Sequence, residues 1–186
     1  MNSCLWPGKN LMMLQYHDSE WCVPSRDDSY IFEMLTLEGA QSGLSWNMVL
    51  SKREDYRRAF HNFDVVYCSK LSDEKIGDIR TRFNVIKNLS KLKSVRNNAL
   101  AIIKIQLEYG TFSDFLWNYV NFKPLINNWK SDSDIPNKSS LSEQISKDLK
   151  KRNFKFVGPI TIYSFMQAIG MVDDHIRTCP HHSTNR

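Results

Sequence analysis

Long apolar runs are missing from these 186 residues. Ala99-Leu100-Ala101-Ile102-Ile103 is among the longest uninterrupted stretches, far short of the roughly 18 residues that span a bilayer, so no membrane partner is expected. A secretory signal is missing too: the first twenty residues have no basic start leading into an apolar segment and carry Asp18 and Glu20, which makes the cytoplasm the expected location. Glycine (7) and proline (6) are scarce, which excludes collagen-like and low-complexity chains. Internal repeats are absent. Cysteine is limited to Cys4, Cys22, Cys68 and Cys179, and in a reducing compartment these read as metal ligands or buried thiols rather than two disulfides.

What is present suits one folded unit. A 41% hydrophobic content with 12% aromatics buries a core without covalent staples at this length. Lys plus Arg (25) less Asp plus Glu (20) leaves a net charge of +5, which favours an anionic partner. Strand signals are weak and helical periodicity dominates, so the expected fold class is all-α. Helices are predicted over residues 28–43, with Asp27 or Asp28 as N-cap, and over 48–60, 72–79, 84–109 (broken near Asn88) and 111–121, with Ser113 as a possible cap. Residues 123–138, with Pro124 and Pro136, read as an excursion between helices. Beyond it, Ser140 and Glu143 have capping-box spacing for a helix ending near Arg152. A short hairpin follows, with Asn153 and Gly158 suited to left-handed backbone, and Pro159 opens a last helix running towards Gly170.

Three constellations in this chain could carry chemistry. The hairpin gathers backbone N–H groups and a helix N-terminus where a phosphate could sit, ringed by Lys147, Lys150, Lys151, Arg152 and Lys155; a second basic run holds Lys87, Lys91, Lys93 and Arg96. Charge alone favours the plainer reading of two solvated helix faces. Near the chain ends, Cys4 and His17 could meet His175 and Cys179, the latter pair four apart as on one helical face, to form a tetrahedral structural site with no open position for water. Spacing by itself favours unrelated thiols and histidines, and His181 and His182 are alternative donors. Glu38, finally, falls on the apolar face set by Ile31, Met34 and Leu35. A core carboxylate needs a partner or a function: a basic side chain from another helix, or a flat ligand entering beside the small residues of Gly39-Ala40-Gln41-Ser42-Gly43. Tyr16 and Trp46 could wall such a pocket or simply fill the core.

Taken in order, Cys4-Leu5-Trp6, Tyr16-His17-Asp18-Ser19-Glu20-Trp21, Leu37-Glu38-Gly39, Ser42-Gly43-Leu44-Ser45-Trp46, Phe154-Lys155-Phe156-Val157-Gly158, Tyr163-Ser164-Phe165-Met166-Gln167-Ala168 and His175 with Cys179 closely resemble the bacterial 3-methyladenine DNA glycosylase I family of the helix-hairpin-helix glycosylase superfamily. The resemblance covers essentially the whole chain, 1–186. It implies an all-α helix-hairpin-helix fold: one unit of two helical lobes, its termini joined by one structural Zn²⁺ on Cys4, His17, His175 and Cys179. It also implies a monomer that flips N3-methyladenine out of double-stranded alkylated DNA and hydrolyses the N-glycosidic bond. Glu38 would be the catalytic carboxylate of the pocket, choosing the lesion, Tyr16 and Trp46 its walls, Trp6 and Trp21 further lining, and Lys151, Arg152, Lys155 and Gly158 the contacts to DNA backbone.

Leu5, Cys22 and Asn153 stand where the family pattern has glycine, and Leu89 interrupts a run usually richer in Arg. Asp173 stands where the pattern has Asn. In the wider superfamily a Val-Asp-x-His segment supplies a catalytic aspartate, which makes Asp173 a second catalytic candidate; a cap or a partner for a zinc-bound His175 is the plainer reading. Two other functions fit the same residues less well: a DNA-binding relative without catalysis, and a zinc-stapled interaction module.

Overall fold

Helices form in this chain wherever an apolar stripe meets a capping side chain. The computed structural model describes residues 3–186. Asn10 caps α1 (Leu11–Ser19), a helix the periodicity did not reveal. Asp27 caps α2 (Asp28–Gln41) by accepting from the Tyr30 N–H at 2.7 Å. Asp28 instead reaches across the fold and accepts from the Phe112 and Ser113 N–H groups. The single helix expected over 48–60 is two, α3 (Trp46–Leu50) and α4 (Arg53–Ala59). Then come α5 (Val65–Ser69), α6 (Asp73–Arg82) and the long α7 (Leu89–Tyr109), which is capped by Asn88 and ended by Gly110 at φ +87°.

Two caps differ from expectation. The cap of α8 (Phe112–Trp117) is Thr111, because Ser113 lies two residues further on, already inside the helix, and is buried. For α9 (Ser140–Lys151) it is Ser139, in a reciprocal box with Ser142, while Glu143 pairs with Lys138 in solvent. Pro159 opens α10 (Pro159–Ala168) as expected. The excursion is not a bare loop: β1 (Leu125–Ile126) pairs in parallel with β2 (Val172–Asp173), Leu125 opposite Val172 and Ile126 opposite Asp173.

The most buried helix of the site is α2, whose Ile31, Phe32, Met34, Leu35 and Leu37 are at most 1% exposed. It packs against α10, α3, α7 and α8, and each such apolar side chain contributes about 1.5–3 kcal/mol on burial. Segment 22–25 lies across the end of α10, with the Cys22 N–H donating to the Gln167 carbonyl and the Ser25 N–H to that of Ile169. Contact there is so close that a Cβ on Gly170 (φ +70°) would stand 2.3 Å from backbone atoms of Val23 and Pro24. Cys22 itself sits at φ +61°, a left-handed position that explains why the family pattern has glycine there. Leu5 takes no left-handed backbone and projects its side chain into solvent. No helix among the described residues is long and apolar enough to cross a membrane.

Candidate active site and metal centre

Glu38 leaves the last turn of α2 and ends in a cavity of about 300 Å³. Four aromatic residues named from the sequence, Trp6, Tyr16, Trp21 and Trp46, line that cavity with it. Their rings form a continuous wall: Trp46 to Tyr16 at 5.2 Å, Tyr16 to Trp6 at 6.3 Å and Trp6 to Trp21 at 5.0 Å between centroids. Sequence reasoning missed the rest of the lining, Gln41, Asp132, Ile135, Ser164 and Gln167. Ser164 and Gln167 share a face of α10 at i, i+3, a signal that was legible; Asp132 and Ile135 belong to the excursion, which periodicity cannot place.

Several polar groups of the cavity lining are buried. Glu38 is 6% exposed and has no ion-pair partner among the described residues; the buried acid that does pair is Glu33, held by Arg53 and Arg57 at 2.6 and 2.8 Å. Burial pushes the Glu38 carboxyl up to about 8, so at neutral pH the empty pocket holds it mostly protonated. Burial, and then Glu38 itself, raise the Tyr16 hydroxyl well above the usual phenol range. The Tyr16 hydroxyl and the indole N–H groups of Trp6 and Trp46 are buried with no hydrogen-bond partner. Orphaned polar atoms of this kind cost about 1–3 kcal/mol each, and a polar ring occupying the cavity offsets that cost.

Gln167 donates its amide N–H to Asp174 Oδ2 at 2.7 Å. Asp174, fully buried, also accepts from Tyr163, Asn127 and Trp129, each at 2.7 Å. This hub ties the excursion to α10 and so fixes two walls of the cavity relative to each other.

Behind Trp6 and Trp21 lies the cluster of chain ends. Cys4, His17 and Cys179 are buried, with ligand atoms all within 4.8 Å of one another. His175 stands beside this trio rather than in it: its ring centroid is 4.8 Å from that of His17, and its Nδ1 is 2.8 Å from Asp173 Oδ1. The expected helical face does not exist here, since 175–179 is a turn closed by the Cys179 N–H to the Ile176 carbonyl. His182 is committed elsewhere, to the Asn127 carbonyl and Thr184; His181 approaches Asp18.

Asp173 is 2% exposed and does not line the cavity. Burial raises its carboxyl, but hydrogen bonds from His175 and Ser183 outweigh burial and hold it down to about 2. Its Oδ1 faces His175 and its Oδ2 accepts from the Ser183 N–H.

The hairpin between α9 and α10 rests directly on α2. A Cβ on Gly39 would meet the Phe156 Cβ at 3.1 Å, so the residue after Glu38 has to be small. Left-handed backbone falls at Asn153 (φ +67°) and Phe156 (φ +57°); Gly158 is extended at φ −63° and serves as the open N-cap of α10. Asn98 holds the turn by accepting from the Lys155 N–H and donating to the Lys155 carbonyl. Lys147, Lys150, Lys151 and Pro159 line a groove along α9. Arg152 is less free, paired with Glu108 at 2.9 Å and laid over Tyr109 and Phe115. The second basic run is largely committed to the fold: Lys87 and Lys91 close helix C-termini through the carbonyls of Arg80, Phe83, Ala40 and Ser42, and Lys93 and Arg96 pair with Asp73.

Fold and site together define a class: a mostly helical protein with an aromatic-lined pocket around a buried carboxyl, set beside a lysine-flanked hairpin that leads into a helix N-terminus. The profile of the methyladenine glycosylase family matches residues 6–182. The DNA-3-methyladenine glycosylase of Haemophilus influenzae is 42% identical over 177 residues, 95% of this chain and 96% of the relative. DNA-3-methyladenine glycosylase 1 of Escherichia coli is 41% identical over 179 residues, 96% of each chain. A Staphylococcus aureus 3-methyladenine DNA glycosylase I, solved to show how it recognises 3-methyladenine, superimposes with a TM-score of 0.94 at 38% identity over 98% of this chain and 97% of that one. The chain belongs to the methyladenine glycosylase family.

Proposed function

We infer that this protein is a DNA repair N-glycosylase that excises N3-methyladenine from alkylated double-stranded DNA, acting as a monomer in the cytoplasm. The observation that carries the reading is Glu38, buried and without an ionic partner in an aromatic cavity whose Tyr16 hydroxyl is also unsatisfied. Methylation at N3 makes the base a cation and weakens its bond to the sugar. The C1′–N9 bond breaks with its electron pair going to the base, which becomes neutral; water adds to the cationic sugar carbon and loses a proton. Protonation of the leaving group is unnecessary, so the enzyme's contribution is capture and orientation. Glu38 accepts a hydrogen bond from the base and attracts its charge, Tyr16 and Trp46 offer ring faces that favour a cation, and the target reaches them only once flipped from the duplex. Lys151, Lys155 and the N-terminus of α10 at Gly158 hold the backbone during that step.

One structural zinc completes the reading, on Cys4, His17, Cys179 and His175. The donor set fits: two buried thiols beside two imidazoles, with the Cys4 thiol pushed up to about 12 chiefly by burial when no cation is near. Asp173 on His175 Nδ1 leaves Nε2 as the donor atom, a carboxylate–histidine pairing common behind zinc. Such a metal joins the chain ends and takes no part in the chemistry.

Chromatography of bases released from methylated DNA tests the assignment. Free 3-methyladenine is the expected product; salt-sensitive DNA binding with no released base would identify the inactive relative instead, and neither activity would leave the zinc-stapled interaction module.

A further inference from the structure

Asp132 is the second carboxylate of the cavity, and nothing in the fold uses it fully. It opens the short turn Asp132–Asp134 of the excursion, yet the capping of that turn is done by Asp134, which accepts from the Lys130 and Ser131 N–H groups. Asp132 Oδ2 accepts from the Leu5 N–H at 2.5 Å. Its Oδ1 is buried with no hydrogen-bond partner among the described residues, on a residue that lines the same cavity as Glu38. No Lys, Arg or His is among the lining residues. An unpartnered Asp132 oxygen beside a carboxyl that burial keeps protonated, with no cation in the lining, makes a pocket that is incomplete until a positive group enters, because an unpaired carboxylate oxygen removed from water is costly.

We propose that Asp132 is a specificity-determining residue, which with Glu38 makes the cavity select a cationic base over a neutral one of the same shape; this rests on the cavity being the base site. A neutral purine leaves Oδ1 unsatisfied, whereas a methylated purine brings the missing positive charge. The direction of charge flow defines what Asp132 can do. As the glycosidic bond breaks, positive charge leaves the base for the sugar, so a carboxylate beside the base stabilises the captured lesion more than the transition state. Asp132 therefore acts on capture and not on the chemical step.

The test uses the full chain and two duplexes: one with N3-methyladenine, and one with a neutral isostere in which ring nitrogen N3 is replaced by carbon and the methyl is kept. Single-turnover excision at varied enzyme concentration gives a half-saturating concentration and a limiting rate for the first; equilibrium titration gives a Kd for the second. Asp132→Asn keeps an acceptor for the Leu5 N–H and removes the charge. It should raise the half-saturating concentration for the cation about tenfold, the equivalent of about 1.4 kcal/mol, shift the isostere Kd by less than about twofold, and leave the limiting rate no slower. Asp132→Ala should show the same selectivity loss plus a lower melting temperature from the lost Leu5 contact. Equal weakening of both duplexes, or unchanged selectivity in an active Asp132→Asn variant, would overturn the assignment of Asp132 alone. A wild-type protein that excises nothing would remove the base-site reading, and this proposal with it.

Discussion

Glu38 and Asp173 are both buried acids, and their surroundings drive them in opposite directions. Glu38 meets only desolvation, so its folded value of about 8 lies above the ordinary 4.5. The native state therefore holds more protons than the unfolded chain between those values, and this contribution to stability declines as pH rises from about 4.5 to about 8, then levels. Glu38→Gln has no such group to titrate. Its melting temperature relative to wild type should rise across that window, which parallel thermal melts at pH 5 and pH 8 will show. For a cationic base the same proton must leave, so capture should strengthen as pH approaches 8. Asp173 is already ionised and engaged by His175 and Ser183. Asp173→Asn is expected to loosen His175, lowering zinc affinity by about 10–100-fold while the single-turnover excision rate stays within about threefold. A rate at least tenfold slower with zinc content and DNA binding unchanged would make Asp173 catalytic instead. Asp173 was legible as a residue of interest from its Val-Asp-x-His setting, but its atoms' partners depend on the position of Ser183, which no spacing rule gives.

At the scale of elements, the α9–hairpin–α10 unit was the most readable part of the chain, because Asn153, Gly158 and Pro159 each restrict the backbone differently. What the sequence misassigned was which residue turns left-handed: Phe156 does so, not Gly158, since packing of its side chain on Gly39 outweighs the local cost. The exposed lysines of this unit carry the DNA prediction. Lys155→Ala should weaken binding to all duplexes alike and reduce the slope of log affinity against log salt by about one, and titration at three salt concentrations checks this. Arg152→Ala should also lower stability, because the side chain packs over Tyr109 and Phe115. The basic run at 87–96 illustrates a limit of charge patterns: its side chains are taken up by carbonyls near the ends of α2 and α6 and by Asp73 at the start of α6. The excursion was the least readable element. Residues 125–126 become a strand only because 172–173 lie alongside, a pairing between segments more than forty residues apart.

Over the whole molecule, the chain ends and the pocket form one structure. Trp21 touches His17, His175 and Trp6, so a metal held at the termini, as proposed above, would fix the aromatic wall of the cavity. Chelation of zinc, or Cys179→Ala, should therefore lower stability by several kcal/mol, on the order of a lost structural metal, and reduce excision even in the fraction that stays folded; metal analysis with thermal melting checks both. Glu38, Tyr16, Trp46 and the meeting of Cys4, His17 and Cys179 were legible because carboxylate, aromatic ring and thiol are conspicuous in a helical pattern. Gln41, Asp132 and Ile135 were not, because only tertiary packing brings a loop to a cavity. The central claim is that a buried, unpaired carboxylate captures the lesion, and single-turnover excision from a duplex with one N3-methyladenine tests it by comparing wild type with Glu38→Gln. Excision should fall about tenfold to more than a hundredfold, the equivalent of about 1.5–3 kcal/mol for a lost charge-assisted contact, with the fold and the affinity for undamaged DNA retained. Full excision by the Glu38→Gln protein would contradict the account.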